Sequence, residues 1–414
     1  MKLPAVFAPL RHGAFARYMT GEFISMIGTW MQVAAQGWLL TELTPRPQVL
    51  GWLTFTSTLP MLALTLIGGR VADRHNKRNV LFAALAVQFT AAAGLGWLVA
   101  GHQIAIWHIF AAAVAVGLAT AFETPAVSAF VPELVPKEDM AGAIAIDRSS
   151  FHATRLIGPF LGGYLMARYG VAAAYYLNAV SFLALGAALC TIRGGRAVPK
   201  EAVTPRSQGI SEGLAYVRKD EPTRIMIGMM SSLTAFVSPF VMVTLPFYVR
   251  KVLLLKEADL GSLLAISGSG SLVGSFVLLT IPRGRRSLAL KGAAVAITLA
   301  ICGMAAADRF ATAAGSLVLL TIGLSLTFGT ANIVIQERAP DEMRGRVSSI
   351  SALSFFGTVT FSGVLITYAI DLFGMRPTLV GGAVGYALAA TILLWGRERL
   401  AGAPRQSEAP AASG

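Results

Sequence analysis

The stretch Gly69-Arg-Val-Ala-Asp-Arg-His-Asn-Lys-Arg78 is the most informative part of this sequence. It follows an apolar run that ends near Ile67, and another apolar run begins near Val80. A short, strongly basic loop between two segments of membrane length must lie in water, on the cytoplasmic side where positive loops collect. The stretch therefore predicts a membrane protein and marks the cytoplasmic ends of its second and third spans.

The composition supports the same class of protein. Of 414 residues, 55% are hydrophobic and only 13% are charged, against about 25% charged in soluble domains. The net charge of +13 falls in short loops between apolar runs, with no aromatic and basic groove that would bind nucleic acid. The five histidines form no ligand cluster, and no nucleotide, zinc or nucleophile motif appears. We therefore expect no enzyme, no metal and no cofactor.

The apolar runs predict twelve transmembrane helices of about 20 residues each. Lys and Arg concentrate on one side of this arrangement, so both termini are predicted to be cytoplasmic. The predicted helices lie near 18–40, 48–68, 80–100, 106–131, 147–167, 172–192, 225–248, 259–281, 289–306, 310–335, 346–369 and 377–395.

The chain divides near its midpoint, at its longest polar stretch, which runs from Arg193 to Arg224. Pro136-Lys-Glu-Asp-Met-Ala-Gly142 after the fourth helix is echoed by Pro340-Asp-Glu-Met-Arg-Gly345 after the tenth, which indicates an internal repeat. The predicted parts are an N-terminal six-helix half (1–192), a cytoplasmic linker (193–224), a C-terminal six-helix half (225–396) and a disordered tail (397–414).

Two predicted helices carry polar residues three and four positions apart, which places them on one helical face. Such a face is costly against lipid, so we expect it to border protein or a water-filled cavity. In the first helix, Gly21 and Gly28 offer the alternative of close helix packing. The first-helix face contains Glu22, Ser25, Thr29, Gln32 and Gln36, and the tenth-helix face contains Thr321, Ser325, Gly329, Asn332 and Gln336.

The fourth and fifth helices hold opposite charges at similar depth. Glu123 and Arg155 lie on consecutive antiparallel helices, and isolated charges at that depth are expensive, so the sequence predicts a salt bridge. Glu123 is a candidate proton carrier, with Arg155 as its modulator and Glu22 as the next candidate, because a proton-driven carrier needs an interior carboxylate. A static structural salt bridge is the competing interpretation.

The opening stretch resembles the signature between the second and third helices of major facilitator superfamily transporters, Gly-x-x-x-Asp-Arg/Lys-x-Gly-Arg/Lys-Arg/Lys. Asn76 stands where that family prefers glycine, and Asn tolerates a positive-φ turn. Gly69 would allow close helix approach, and Asp73 would latch the cytoplasmic side shut against the start of the eleventh helix. A simple topogenic loop is the alternative. The gate candidates are Gly69, Asp73, Arg74, Lys77, Arg78, Arg344 and Arg346.

Further segments resemble the enterobactin-exporter-like branch of that superfamily, which exports siderophores, macrolides and other hydrophobic compounds. These segments are Gly28-Thr-Trp-Met-Gln32, Gly37-Trp-Leu-Leu-Thr-Glu-Leu-Thr44, Glu123-Thr-Pro-Ala126, Pro132-Glu-Leu-Val-Pro136, Arg155-Leu-Ile-Gly-Pro159 and Pro340-Asp-Glu-Met-Arg-Gly-Arg346. Four residues, Gly158, Pro159, Gly162 and Gly163, also match the core of a fifth-helix pattern from antiporter branches. Helix packing with a proline kink explains these four equally well.

The resemblance implies an all-α major facilitator fold of twelve transmembrane helices in two pseudo-symmetric halves, with a central cavity lined by helices 1, 4, 7 and 10. It implies a monomeric transporter of the bacterial inner membrane that exports a small hydrophobic or siderophore-like molecule by proton antiport. An importer or uniporter of a small metabolite with the same fold is the alternative. The cavity candidates are Thr29, Gln32, Gln36, Ser325, Asn332 and Gln336.

Overall fold

The structure is a computed structural model that describes residues 5–192 and 209–394. Within these two ranges the chain is helical and contains no strand. The start of the predicted linker and the predicted disordered tail lie outside the described residues. The helices are α1 (Gly13–Leu43), α2 (Gln48–Arg74), α3 (Lys77–Ala100), α4 (Ile106–Phe130), α5 (Met140–Tyr169), α6 (Val171–Thr191), α7 (Gly209–Lys219), α8 (Glu221–Phe236), α9 (Ser238–Met242), α10 (Leu245–Phe247), α11 (Glu257–Thr280), α12 (Arg286–Ala306), α13 (Phe310–Arg338), α14 (Asp341–Phe373) and α15 (Met375–Leu394).

Eight helices of the described chain are long and apolar enough to cross a membrane, namely α3, α4, α6 and α11 to α15. α2 adds a ninth if its two arms, which are bent by 56°, count as one span. Among the long helices of these ranges, α1 and α5 fall outside this set, and both carry the interior polar residues described below. Every predicted segment overlaps a helix or, for the seventh, a run of short ones, which confirms the predicted fold class.

The seventh predicted span, 225–248, is not one helix. α8 ends at Phe236, and the chain continues through α9, α10 and a π-helical turn at Tyr248–Val252. Pro239 and Pro246 lie in the first turns of α9 and α10. Proline has no N–H to donate and clashes with the preceding turn, so it is tolerated at a helix start and breaks a helix interior. The continuous seventh helix was a wrong prediction, because the chain starts a new short helix at each of these two prolines.

Each half is held together by its own helix pairs. In the first half α1 packs on α5 and α6, and α4 packs on α2 and α3; in the second, α12 packs on α13 and α15, and α8 on α14. The loop after Arg74 and the turn Arg283–Arg285 lie at one end of the bundle, which we call the basic end. The turns at Gly170 and Gly374 lie at the opposite end.

The two halves meet mainly through α2 with α14 and through α5 with α11, and they touch at the opposite end. A Cβ atom placed on Gly51 of α2 would lie 2.2 Å from the hydroxyl oxygen of Thr367. A Cβ atom on Gly163 of α5 would lie 2.6 Å from the Cα of Gly261 in α11. At the basic end, a Cβ atom on Gly69 would meet nothing within 4 Å. The halves are therefore in close contact at the opposite end, whereas Gly69 at the basic end lies apart from the other half.

Polar contacts join the halves at the opposite end as well. The side-chain amide of Gln48 donates a hydrogen bond to Asp371 (2.5 Å). The Arg250 guanidinium lies 3.1 Å from the Glu42 carboxylate and 5.2 Å from the centroid of the Trp38 ring. Glu42 and Trp38 belong to α1 and Arg250 to the π-helical turn, so this contact fastens the first helix of one half to the seventh segment of the other.

Candidate functional site

The polar face predicted on α1 is divided between two neighbours. Ser25 is buried, and Gln32 accepts a hydrogen bond from the side-chain amide of Asn178 in α6 (2.7 Å). A Cβ atom on Gly28 would lie 2.3 Å from the Ser181 hydroxyl oxygen, also in α6. The structure therefore places Ser25, Gly28 and Gln32 in the packing between α1 and α6, which is the alternative that the glycines suggested.

The remaining polar residues of α1 occupy a different side of the helix. Glu22, Thr29 and Gln36 recur at intervals of about two helical turns, which keeps them on one line along the helix. Val33 on the same side is 52% exposed, and Thr29 is exposed as well. Because α5 and α6 cover neighbouring sides of α1, these exposed residues border the cleft between the halves.

Three carboxylates come together beside α1 near the basic end. Glu123 of α4 accepts a hydrogen bond of 2.6 Å from the side-chain amide of Gln88 in α3. Glu22 lies close enough to Glu123 and to Asp147 of α5 for their charges to interact. The hydroxyl of Tyr18 lies among the same carboxylates, is buried, and has no hydrogen-bond partner among the described residues. We call Glu22, Glu123 and Asp147 the carboxylate cluster.

The predicted salt bridge between Glu123 and Arg155 is not formed. The Arg155 guanidinium lies over the ring of Trp30, 5.4 Å from its centroid, and Trp30 meets Phe151 edge-on at 5.8 Å. Within residues 5–192 and 209–394, no carboxylate lies within ion-pair distance of Arg155. Distance from a helix end fixes the depth of a residue but leaves its angular position open, and Glu123 turns toward α3 whereas Arg155 turns toward α1. A desolvated cation–π contact contributes about 2 kcal/mol, which offsets part of the cost of burying the charge.

The glycines of the fifth-helix pattern allow α5 to approach two other helices. A Cβ atom on Gly158 would lie 2.5 Å from the Cβ of Trp30 in α1, and Gly162 meets the same helix at 3.1 Å. Gly163 faces the other half and packs against α11. Pro159 is buried within α5. Close packing is thus the observed role of these residues, and an antiporter-specific role stays a prediction.

The polar residues predicted on α13 also separate into two groups. Ser325 lies 2.8 Å, hydroxyl to hydroxyl, from Ser275 of α11, so it serves the contact between these helices. Asn332 and Gln336 are exposed. Gln336 donates a hydrogen bond to Ser348 of α14 (3.1 Å), and Asn332 bonds to a carbonyl of its own helix. Only the part of this face nearer the basic end, which holds Asn332 and Gln336, is exposed.

The predicted gate residues do not meet one another. Asp73 and Arg74 are exposed, and Asp73 makes no hydrogen bond or ion pair to any residue in the described ranges. Arg346 at the start of α14 pairs with Glu212 of α7 instead, and Arg344 is half-buried in the same turn. Gly69 makes no close contact with another helix in this structure, because nothing lies within 4 Å of a Cβ atom placed on it. The structure therefore shows the two sides of the predicted latch apart.

The last residues of the opening stretch hold their own half together. Lys77 is buried, with its Nζ 2.8 Å from the Glu133 carboxylate, and Arg78 donates a hydrogen bond to the carbonyl of Cys190 (3.2 Å). Asn76 has a φ of −63°, and its side chain accepts from the Arg78 N–H as the N-cap of α3. The positive-φ turn expected at Asn76 was a wrong prediction, because asparagine acts here through its capping oxygen.

The linker helix α7 is attached to the second half through α13, a contact that the sequence interpretation missed. Arg338 of α13 donates three hydrogen bonds to the Asp220 carboxylate, at 2.6, 2.9 and 3.1 Å. Tyr216 of α7 donates to the Arg338 carbonyl (2.9 Å). Burial alone would raise the pKa of Asp220, but the hydrogen bonds from Arg338 and Thr223 outweigh it and hold that pKa below its ordinary value. The available signal was the N-cap Asp220 followed by a proline in the first turn of α8.

Two helical halves that touch at one end, part at the other and enclose polar groups define the chain as a major facilitator-type membrane transporter. The chain belongs to the family described as transmembrane secretion effector, whose model matches residues 4–410. It is therefore a multi-pass membrane transporter of small molecules and not an enzyme.

Individual relatives agree with this assignment. The chain is 22% identical to the staphyloferrin A transporter of Staphylococcus aureus, over 87% of this chain and 90% of that protein. It is also 22% identical to macrolide efflux protein A of Streptococcus pyogenes, over 81% of this chain and 84% of that protein. Among solved structures, it resembles a bacterial homologue of the human lysosomal transporter Spinster in an inward-facing, unoccupied conformation, with a TM-score of 0.75, 14% identity and coverage of 95% and 98% of the two chains. This structural likeness shows the shared fold.

Proposed function

We propose that the protein exports a small hydrophobic or siderophore-like molecule from the bacterial cytoplasm by proton antiport. The relatives named for staphyloferrin A and for macrolide efflux support this class of cargo. The basic end is assigned to the cytoplasm, and with it both termini, because short basic loops are retained on that side. The protein acts as a monomer in the cytoplasmic membrane.

The carboxylate cluster is the observation that carries the proposal. An antiporter needs an interior group that takes up and releases a proton during the cycle. Glu123 is hydrogen-bonded to the neutral amide of Gln88, and not to an arginine, so its proton can exchange as its surroundings change. Glu22 lies close enough to Glu123 for their charges to interact, which gives the proton a second carrier beside the first.

Alternating access provides the second part of the proposal. The halves touch at the opposite end and part at the basic end, which in the proposed orientation opens the cleft to the cytoplasm. Rocking of the halves would then bring Asp73 against the start of α14 and close the cytoplasmic side. In the same motion Arg155 could approach the carboxylates and favour release of the proton.

Transport in inverted membrane vesicles tests the coupling. Glu123→Gln keeps the shape of the side chain and the hydrogen bond to Gln88, but the amide cannot take up and release a proton. It should abolish accumulation of labelled erythromycin or staphyloferrin A driven by a pH gradient, while exchange of the same probe across the membrane persists. Glu138→Gln is the matched control, because Glu138 is exposed at the basic end and should behave as wild type.

Three outcomes would contradict parts of the proposal. Accumulation by Glu123→Gln with unchanged pH dependence would exclude Glu123, and Glu22→Gln would then be measured in the same assay. Indifference of both variants would exclude Glu123 and Glu22 as the proton carriers. Accumulation in the reverse direction would indicate an importer.

A further inference from the structure

The mechanism proposed above leaves one interior cation, Arg155, without an anionic partner. In the described part of the chain its guanidinium contacts the ring of Trp30 and forms no ion pair. An uncompensated charge within a membrane-spanning bundle is expensive, and such charges are kept where they serve a substrate or ion pathway. The other interior charges, those of the carboxylate cluster, lie nearer the basic end than Arg155 does.

The packing of α5 shows which way Arg155 faces. Gly158 packs on α1, and Leu156 packs on Gly268 of α11, so α5 lies between these two helices. Tyr164, about two and a half helical turns beyond Arg155, points to the opposite side, and it is 61% exposed on the outer surface. Arg155 therefore faces inward, into the cleft between α1 of one half and α11 of the other.

The surroundings of Arg155 are built to hold its guanidinium in place. Phe151 meets the Trp30 ring edge-on, and Gly158 lets the backbone of α5 lie against the Cβ of Trp30, so α5 contacts both the ring and the base of this side chain. A guanidinium stacked on an indole keeps its N–H groups in one plane. Those N–H groups form no hydrogen bond to any described residue, so they are available to an acceptor with two oxygens.

We infer that Arg155, stacked on Trp30, binds an anionic group of the transported molecule, most simply a carboxylate. The cargo would then be an amphiphile whose apolar part lies along the cleft and whose carboxylate pairs with Arg155. The carboxylate cluster would repel the same anion from the side of the basic end, which fixes the orientation of the cargo. That the bound molecule is also transported rests on the proposed function.

Equilibrium binding to the purified full-length protein tests this inference with two probes of equal size. Pyrenebutyrate carries a carboxylate, and pyrenebutanamide is its neutral counterpart; pyrene fluorescence reports both. We expect the wild-type protein to bind the anion at least tenfold more tightly than the amide, which corresponds to about 1.4 kcal/mol. Arg155→Gln should lose this preference while its affinity for the amide stays unchanged. Arg168→Gln, at an exposed position near the end of α5, should keep the preference.

Several outcomes would overturn the inference. Equal affinity of the wild-type protein for the two probes would do so, as would a preference that survives in Arg155→Gln. Binding of the amide reports whether the variant is folded. If Arg155→Gln does not fold, Trp30→Leu provides the test, because it removes the stacking and keeps the charge. An unchanged preference for the anion in Trp30→Leu would show that stacking on Trp30 does not prepare Arg155 for binding. The measurement involves no proton gradient, so a failed coupling test with Glu123→Gln would leave its result intact.

Discussion

The two ends of the interface between the halves are held by different kinds of contact. At the opposite end, Gly51 and Gly163 bring helices of the two halves into contact at backbone distance. At the basic end, Asp73 is exposed and Arg346 is paired with the linker helix rather than with the first half. One end is therefore closed by shape and the other depends on charges that can change partners. Under the proposed mechanism, opening the first requires separating packed surfaces, whereas closing the second requires new ion pairs.

The largest expected effect comes from filling the packed end. Gly51→Leu should force α2 from α14, because even its Cβ would lie 2.2 Å from Thr367. Overpacking of this kind costs about 1–3 kcal/mol, which should shift the population toward a state open at the opposite end by about tenfold or more. A cysteine placed at Tyr368, in a protein lacking Cys190 and Cys302, should then be labelled faster by an impermeant maleimide.

Gly69→Leu is the matched control for this experiment. Nothing lies within 4 Å of a Cβ atom on Gly69, so labelling at position 368 should not accelerate. Equal acceleration by the two glycine substitutions would show that close packing does not hold the opposite end shut.

A smaller effect is expected from removing the charge at the basic end. Asp73→Asn should leave thermal stability unchanged, since Asp73 has no hydrogen-bond partner in the described ranges. Transport should fall about tenfold, because charge-assisted hydrogen bonds in the closed state would weaken by about 1–2 kcal/mol. Flux into proteoliposomes measures this, with the exposed Glu138→Gln as control. Wild-type flux from Asp73→Asn would mean that the basic loop serves only to orient the protein in the membrane.

The smallest effect should follow from loss of the ion pair at the opposite end. Arg250 and Glu42 are both partly exposed, and pairs of this kind contribute about 0–1 kcal/mol. Arg250→Gln should therefore raise labelling at position 368 less than about fivefold. The double variant with Glu42→Gln should add little more, since both changes remove one contact. An effect larger than that of Gly51→Leu would show that the ion pair, and not close packing, is the stronger contact holding this end closed.

The fold could be predicted from the sequence because its determinants are local. Apolar runs of membrane length fix the number of helices, and basic loops fix which ends lie together. The broken seventh segment was missed because Pro239 and Pro246 can start helices as well as end them. The attachment of α7 was missed because the partners Tyr216 and Arg338 are far apart in sequence.

The candidate site was predicted less completely, for a geometric reason. Sequence spacing placed Glu22, Glu123 and Arg155 at comparable depths, and the first two do come together. It could not supply the rotation of each helix about its axis, which sends Glu123 to Gln88 and Arg155 to Trp30. The gate residues were found by resemblance to a family signature. The same sequence is compatible with more than one conformation, so it could not indicate that these residues lie apart in this structure.

The turn between the fifth and sixth helices of each half is made by a single glycine in an almost identical conformation. Gly170 has φ and ψ of 80° and 169°, and Gly374 has 87° and 166°, values that favour glycine over any residue with a side chain. The two are 204 residues apart, as are Pro136 and Pro340. This constant offset points to descent from one duplicated ancestral half, aligned here without insertion or deletion. The same offset pairs Arg155 with the buried Val359, so the interior cation belongs to one copy alone and records how far the two copies have diverged.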